Sequence, residues 1–143
     1  MHKKTQLALG VATAAMISGL ATPANAACAV DGSTVTCTAD STVAEVNAAM
    51  AAAGGSDVTL NIANNANVVQ PGGDVSPTKQ GEVAIENSGD VGVEAAPVGV
   101  FYVGTSTDAT NTFSLDNIGS IPGQVTVLNV GGAVDIDNSG LLA

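Results

Sequence analysis

One short phrase recurs along this chain and limits its fold more than any other feature. It reads apolar, any, Asn, any, Gly, any, apolar. Its clearest copies are Ile85-Glu86-Asn87-Ser88-Gly89-Asp90-Val91, Leu115-Asp116-Asn117-Ile118-Gly119-Ser120-Ile121 and Ile136-Asp137-Asn138-Ser139-Gly140-Leu141-Leu142. Val127-Leu128-Asn129-Val130-Gly131-Gly132-Ala133 is a looser copy, and Ile62-Ala63-Asn64-Asn65-Ala66-Asn67-Val68 fits with Ala in place of Gly. Each copy reads as the end of one β-strand, a corner and the start of another. Asn and Gly tolerate left-handed backbone at a corner, while aliphatic and β-branched neighbours suit a pleated surface. The expected corners are Asn64, Asn87 with Gly89, Asn117 with Gly119, Asn129 with Gly131, and Asn138 with Gly140.

The spacing of these corners predicts a coil of strands. Asn64 to Asn87 is 23 residues, Asn87 to Asn117 is 30 and Asn117 to Asn138 is 21. Such lengths suit one full turn of a β-solenoid, with loops absorbing the variation, and Asn129 then marks a second corner on one turn. Three to four rungs at roughly 4.8 Å each make a stub of about 15 to 20 Å.

The N-terminus has the form of an export signal. His2, Lys3 and Lys4 precede an uncharged apolar run over residues 7–20, and Ala24-Asn25-Ala26 has the small-any-small form of a signal peptidase site. Cleavage is expected after Ala26. An uncleaved membrane anchor is the competing reading, but the run is shorter than the roughly 20 residues that span a bilayer, and Pro23 follows it. The chain then divides into a signal peptide (1–26), an N-terminal hairpin and cap helix (27–56), and solenoid rungs (57–143). The last apolar residues, Leu141 and Leu142, read as the start of another strand, so the rungs are expected either to continue past Ala143 or to end there uncapped.

Removal of the signal leaves one basic side chain, Lys79, against thirteen Asp and Glu, a formal charge of −12. A chain this acidic is repelled by nucleic acid and by anionic lipid. The aromatic residues are Phe101, Tyr102 and Phe113 alone. A core must therefore be built from Val, Ile, Leu and Ala, which suits thin stacked rungs better than a compact globule.

Cys28 and Cys37 predict a staple. With Gly32-Ser33 as the two-residue loop of a hairpin, Asp31 faces Thr34, Val30 faces Val35 and Cys28 faces Cys37. In an oxidising compartment that register gives a disulfide. A zinc site lacks a second cysteine pair and a His in the mature chain. Next, Thr42-Val43-Ala44-Glu45 has the form of a capping box, Val43, Val46 and Met50 lie on one face, and Gly54-Gly55 supplies a stop. A helix is expected over residues 43–53, leading into an alternating strand over 56–62 and covering the exposed end of the stack. A helix packed on an ordinary sheet is the plainer reading of the same residues. Residues 70–82, rich in Pro and Gly, are expected to project as a loop, and another polar loop falls at 105–112.

At these residues the chain resembles the N-terminal part of bacterial autotransporter and related adhesin passengers. Copies of an Ile-any-Asn-Ser-Gly-any-Ile phrase are common in that family, and residues 85–91 and 136–142 look like it. The helix-to-strand passage from Thr42 to Ile62 is similar to the cap that opens many parallel β-helices, including the pectate-lyase-like group. The resemblance implies a mainly β fold, a short right-handed parallel β-helix. It also implies a secreted, non-catalytic surface or adhesin-type segment located outside the cell, on its surface or in the outer membrane of a Gram-negative-type bacterium. The periplasm is the other compartment, and an outer-membrane β-barrel is the partner in cis if the chain is a fragment. Two features depart from the family: nothing here forms the C-terminal membrane barrel, and such passengers are poor in cysteine.

The residues offer little for catalysis. A polysaccharide lyase needs a basic residue beside its acidic substrate, and the mature chain has only Lys79. Asp135 and Asp137 share one face of a strand and form a candidate carboxylate pair, but they read first as the solvated face of a strand whose Val134 and Ile136 point inward. Gly131-Gly132-Ala133-Val134-Asp135 fails the calcium-binding Gly-Gly-any-Gly-any-Asp repeat. A nucleophilic triad lacks its His, and no glycine-rich loop leads into Lys-Ser/Thr for phosphate. Phe101 and Tyr102 are adjacent, so one points in and the other out, with Tyr102 expected inside. No catalytic, cofactor or metal-binding residue is assigned. A curli-like fibre subunit, self-associating at the C-terminal edge, is the second non-enzymatic reading.

Overall fold

The computed structural model describes residues 27–142, so the signal segment and Ala143 lie outside it. A hairpin comes first. β1 (Cys28–Asp31) runs antiparallel to β2 (Thr34–Cys37), with Cys28 opposite Cys37, Val30 opposite Val35 and Asp31 opposite Thr34. Gly32 has a φ of 59°, as the first corner of a type II′ turn requires. Cys28 and Cys37 are joined by a disulfide.

The remaining elements wind into about four turns of a parallel β-solenoid. β3 (Ser41–Thr42) and α1 (Val43–Ala52) complete the turn that β2 begins. β4 (Val58–Ile62) and β5 (Asn67–Val69) belong to the second turn. β6 (Glu82–Asn87), β7 (Asp90–Val93), a short β8 (Ala96–Pro97) and β9 (Val100–Val103) make the third. β10 (Thr112–Asn117), β11 (Ser120–Ile121) and β12 (Val125–Leu128) make the fourth, and β13 (Val134–Asn138) and β14 (Leu141–Leu142) begin a fifth. One side of the coil is the sheet β1-β2-β4-β6-β10-β13, a second is β3-β5-β7-β11-β14, and β9-β12 forms the third. Only β1/β2 and β7/β8 are antiparallel pairs.

Alternation along each strand builds the core. β4 buries Val58, Leu60 and Ile62 and leaves Thr59 and Asn61 outward. Stacking then aligns like with like: Val35, Leu60, Ile85, Leu115 and Ile136 form one column, and Val58, Val83, Phe113 and Val134 another. Tyr102 is the buried member of its pair, stacked on Phe113 at 5.4 Å between ring centroids, while Phe101 faces solvent.

Because β2 pairs in parallel with β4, the stack starts at Thr34 inside the hairpin, earlier than the sequence placed it. Helix α1 fills the third side of that first turn and packs on β1, β2, β3 and β5. Its capping box is complete: the Glu45 backbone N–H donates to Thr42 Oγ1 at 3.2 Å, and the Thr42 N–H donates to Glu45 Oε2 at 2.8 Å. Val43, Val46 and Met50 are its buried face.

Residues 70–82 do not simply project. Val75 and Pro77 are buried, and Val75 forms a parallel bridge to Val100, with its N–H donating to Gly99 O at 2.9 Å and its carbonyl accepting from Phe101 at 3.0 Å. The segment closes the third side of the second turn without a regular strand. Turn formers hid this role because the stretch turns only Val75 and Pro77 inward, too short a pattern to read as a strand.

Candidate functional site

The three strong copies of the repeated phrase meet in space. Asn87, Asn117 and Asn138 occupy the last positions of β6, β10 and β13 and stand in register. Asn87 Nδ2 donates to Asn117 Oδ1 at 2.8 Å, and Asn117 Nδ2 donates to Asn138 Oδ1 at 2.7 Å. Asn87 and Asn117 are buried, so each amide needs partners on every side, and a chain of amides supplies them. Asn87 also turns the corner of its own rung, its Oδ1 accepting from the Gly89 N–H, while Asn117 Nδ2 reaches Leu141 O in the next rung.

The glycines of the phrase work differently from expectation. Gly89, Gly119 and Gly140 do not lie in the left-handed region. They stack instead: a Cβ on Gly119 would overlap the Gly89 carbonyl oxygen, one on Gly140 would overlap the Gly119 oxygen, and one on Gly89 would meet the carbonyls of Ala63 and Ala66. Close backbone approach at the corner, not positive φ, demands glycine there. Asn129 does turn with a φ of 54°, at the corner before β13, and Gly131 packs there on the carbonyls of Thr105 and Asp108. Asn64 is an exposed turn residue outside the ladder. Register sets Ile62 opposite Asn87, so that loose copy of the phrase is displaced by two residues. True turn lengths between Cys37, Ile62, Asn87, Asn117 and Asn138 are 25, 25, 30 and 21 residues.

Among the described residues, β13 and β14 have a strand neighbour on one side only. Val134 and Ile136, which continue the aliphatic columns, are 49% and 45% exposed, and Leu141, opposite Ser120, is 55% exposed. Asp135 and Asp137 lie on the outer face, in register below Ser114 and Asp116, and Glu86 stands one rung above Asp116. Asp137 extends an outward column of carboxylates, with Asp135 alongside it, rather than lining a cleft.

A wide cleft on the outer surface sits beside the β7–β8 excursion. Its volume is about 580 Å³, and Asp90, Val93, Glu94, Pro97, Pro122 and Leu141 help line it. Gly92, with a φ of 81°, lets β7 turn back against Val98. Among the described residues, no group of three or more His, Cys, Asp or Glu is arranged to hold a metal ion. Two carboxyl groups are held below their usual range: Glu45 by the Thr42 N–H and then its hydroxyl, and Asp108 by the Thr110 hydroxyl and then its N–H. Both act as local caps.

Two buried polar contacts escape a reading of the sequence. Lys79 Nζ donates to Ala53 O at 2.6 Å, closing the C-terminal end of α1. Asn111, fully buried, donates to Gln80 O, Gly81 O and the Tyr102 hydroxyl and accepts from the Thr105 N–H. Asn111 carries no repeat phrase around it. Only its position before β10, beside the end of the 70–82 segment at Gln80 and Gly81, makes it an anchor.

The fold and the ladder define the class: a parallel β-solenoid with an N-terminal disulfide hairpin and a helix in its first turn. Comparison with protein families, curated proteins and solved structures found no match.

Proposed function

We propose that this chain is an exported, non-catalytic structural and interaction module, a surface or adhesin-type solenoid segment. The observation that carries the reading is the fate of Lys79. It is the single basic side chain of residues 27–143, and its ammonium is committed to a helix-end carbonyl. An acidic polysaccharide therefore has no free basic side chain to meet at this surface, whereas in-register columns and an amide ladder give a stiff stack suited to holding surfaces at a fixed spacing. Display at the cell surface, with an outer-membrane barrel in cis, belongs to the same reading.

The experiment is to express the chain with its signal, sequence the N-terminus of the exported protein and digest intact cells with protease. The expected result is a terminus at Ala27 and loss of the protein from the cell surface. A Met1 terminus in the membrane fraction overturns the export reading, and depolymerisation of an acidic polysaccharide with added calcium overturns the non-catalytic one. A curli-like fibre would respond to an amyloid dye; persistent monomers in size exclusion with no dye response dispose of it.

A further inference from the structure

The third side of the coil carries the one aromatic ring that the core does not take. Tyr102 and Phe113 are stacked inside, whereas Phe101 is 41% exposed and Val103, two residues along the same outward face of β9, is 40% exposed. Together with Ser76, Pro77, Thr78 and Gln80 they line a shallow cleft of about 270 Å³. Parallel pairing of β9 with β12 lays Thr126 beside Phe101 and the exposed Leu128 beside Val103, so the floor of the cleft runs on across this face. A further turn below β12 would stack on its edge and lengthen the outer face without covering it.

The wall of the cleft is fastened before any ligand arrives. The Ser76 N–H donates to Asn47 Oδ1 at 2.8 Å, and the Tyr102 hydroxyl donates to Lys79 O at 2.9 Å. Gln80 Nε2 donates to Val103 O at 3.2 Å, and its Oε1 accepts from the Thr105 hydroxyl at 2.7 Å. Little ordering is left for binding to impose. The lining is half apolar and half polar, yet it holds no charge. Lys79 turns away to Ala53 O, and Asp74 Oδ1 accepts from the Gly99 N–H at 2.9 Å. Thr78 is exposed, with a hydroxyl that both donates and accepts, and the Ser76 hydroxyl, which donates to Asp74 O at 3.2 Å, keeps its lone pairs. A purely apolar ligand would strip water from this rim and leave it unpaired. A charged ligand finds no counter-ion in the cleft, and an anion also meets a mature chain of formal charge −12.

We propose that this cleft binds an uncharged saccharide, with one pyranose ring lying on Phe101 and its hydroxyls turned toward Ser76 and Thr78. A sugar ring has a C–H face, which suits the electron-rich face of an aromatic, and an edge of hydroxyls, which suits a rim that donates and accepts. The volume falls just below the roughly 300 to 1,000 Å³ of pockets for drug-sized ligands, so it takes one ring of a longer chain. The inference rests on the reading of the chain as an interaction module and gives that module a ligand class. Export and display are decided by N-terminal sequencing and protease digestion, and stand or fall separately from binding by the purified protein.

The test is an amide NMR titration of the purified protein with neutral hexaoses of glucose, mannose and galactose, and with hexagalacturonate as the acidic counterpart. At least one neutral hexaose is expected to shift the amides of residues 76–80 and 101–103 saturably. Phe101→Ala should weaken that binding about tenfold, and Phe101→Tyr should keep it. Thr78→Val should weaken it about threefold, the loss of roughly one hydrogen bond at a wet rim. Both positions lie outside the core, and an unchanged urea midpoint for each variant shows that the fold is intact. The proposal is overturned if no neutral hexaose moves these amides, if hexagalacturonate binds as tightly, or if Phe101→Ala binds undiminished. It is also overturned if an apolar dye shifts the same amides while every hexaose leaves them still, because the cleft would then serve an apolar ligand.

Discussion

A single column of the solenoid is apolar at one end and polar at the other. In the first two turns its members are Cys37 and Ile62; in the next three they are Asn87, Asn117 and Asn138. The upper part is secured by a covalent bond, by α1 and by aliphatic contact, none of which requires a further neighbour. The lower part is secured by amides, each of which presents a donor to the rung below. A solenoid can thus be closed with dispersion and a staple, or propagated with directional hydrogen bonds. The first closes the stack at its N-terminal end, and the second carries a hydrogen bond from rung to rung.

The largest expected effect tests what the two parts share. Leu115 lies fully buried in the aliphatic column between Ile85 and Ile136, and Leu115→Ala should cost about 3 kcal/mol in urea unfolding. A loss below about 1 kcal/mol would mean that the lower turns hold together without their core.

Next comes the staple. Replacing Cys28 and Cys37 together by Ser should lower stability by about 2 to 3 kcal/mol, as expected for a loop with a separation of 9 residues. The hydrogen-exchange loss should fall on β1, β2 and α1. Equal loosening of β10 and β13 would show that the two ends unfold as one unit.

Asn117→Leu makes a rung of the lower part resemble the upper. Alone, it orphans a donor of Asn87 and an acceptor of Asn138, at about 2 kcal/mol. The triple change Asn87→Leu, Asn117→Leu and Asn138→Leu should be less damaging than the sum of the three singles, because an aliphatic ladder already works at Ile62. Strict additivity in denaturation would deny that the amides act as a connected series.

The smallest effect belongs to the upper end. Thr42→Ala removes the N-cap of α1 and should cost about 1 kcal/mol at neutral pH. Glu45, its partner in the box, has a lowered carboxyl pKa in the folded state. Its contribution is therefore present above the ordinary carboxylate range and is lost as pH falls through the folded value. The gap between Thr42→Ala and the parent should narrow in acid, and a gap constant with pH would separate the cap from the carboxylate.

Much of this architecture is legible in one dimension. The hairpin register follows from where Gly32-Ser33 stands between two cysteines, the helix from Thr42, Glu45 and a Gly-Gly stop, and the coil from a phrase that repeats at roughly one turn. These features are local, or repeat locally, so pattern alone carries them. The misreadings share a cause too. Asn64 fits the phrase in letters but not in register, because register is set by pairing between β4 and β6 and not by the corner alone. In the sequence the glycines read as turn formers, yet the backbone of the neighbouring rung, invisible there, is what excludes a side chain. Val75, Lys79 and Asn111 sit in segments with no period, and their partners lie 25, 26 and 31 residues away at Val100, Ala53 and Gln80.

By itself, then, the sequence determined that strands of about one turn each would stack, that a disulfide hairpin and a helix would open the stack, and that aliphatic side chains would fill it. Alternation and repetition impose those outcomes on any chain with this pattern. Only the tertiary structure decided which asparagines touch. Three side chains spread over more than fifty residues become one hydrogen-bonded line because parallel register places identical positions above one another.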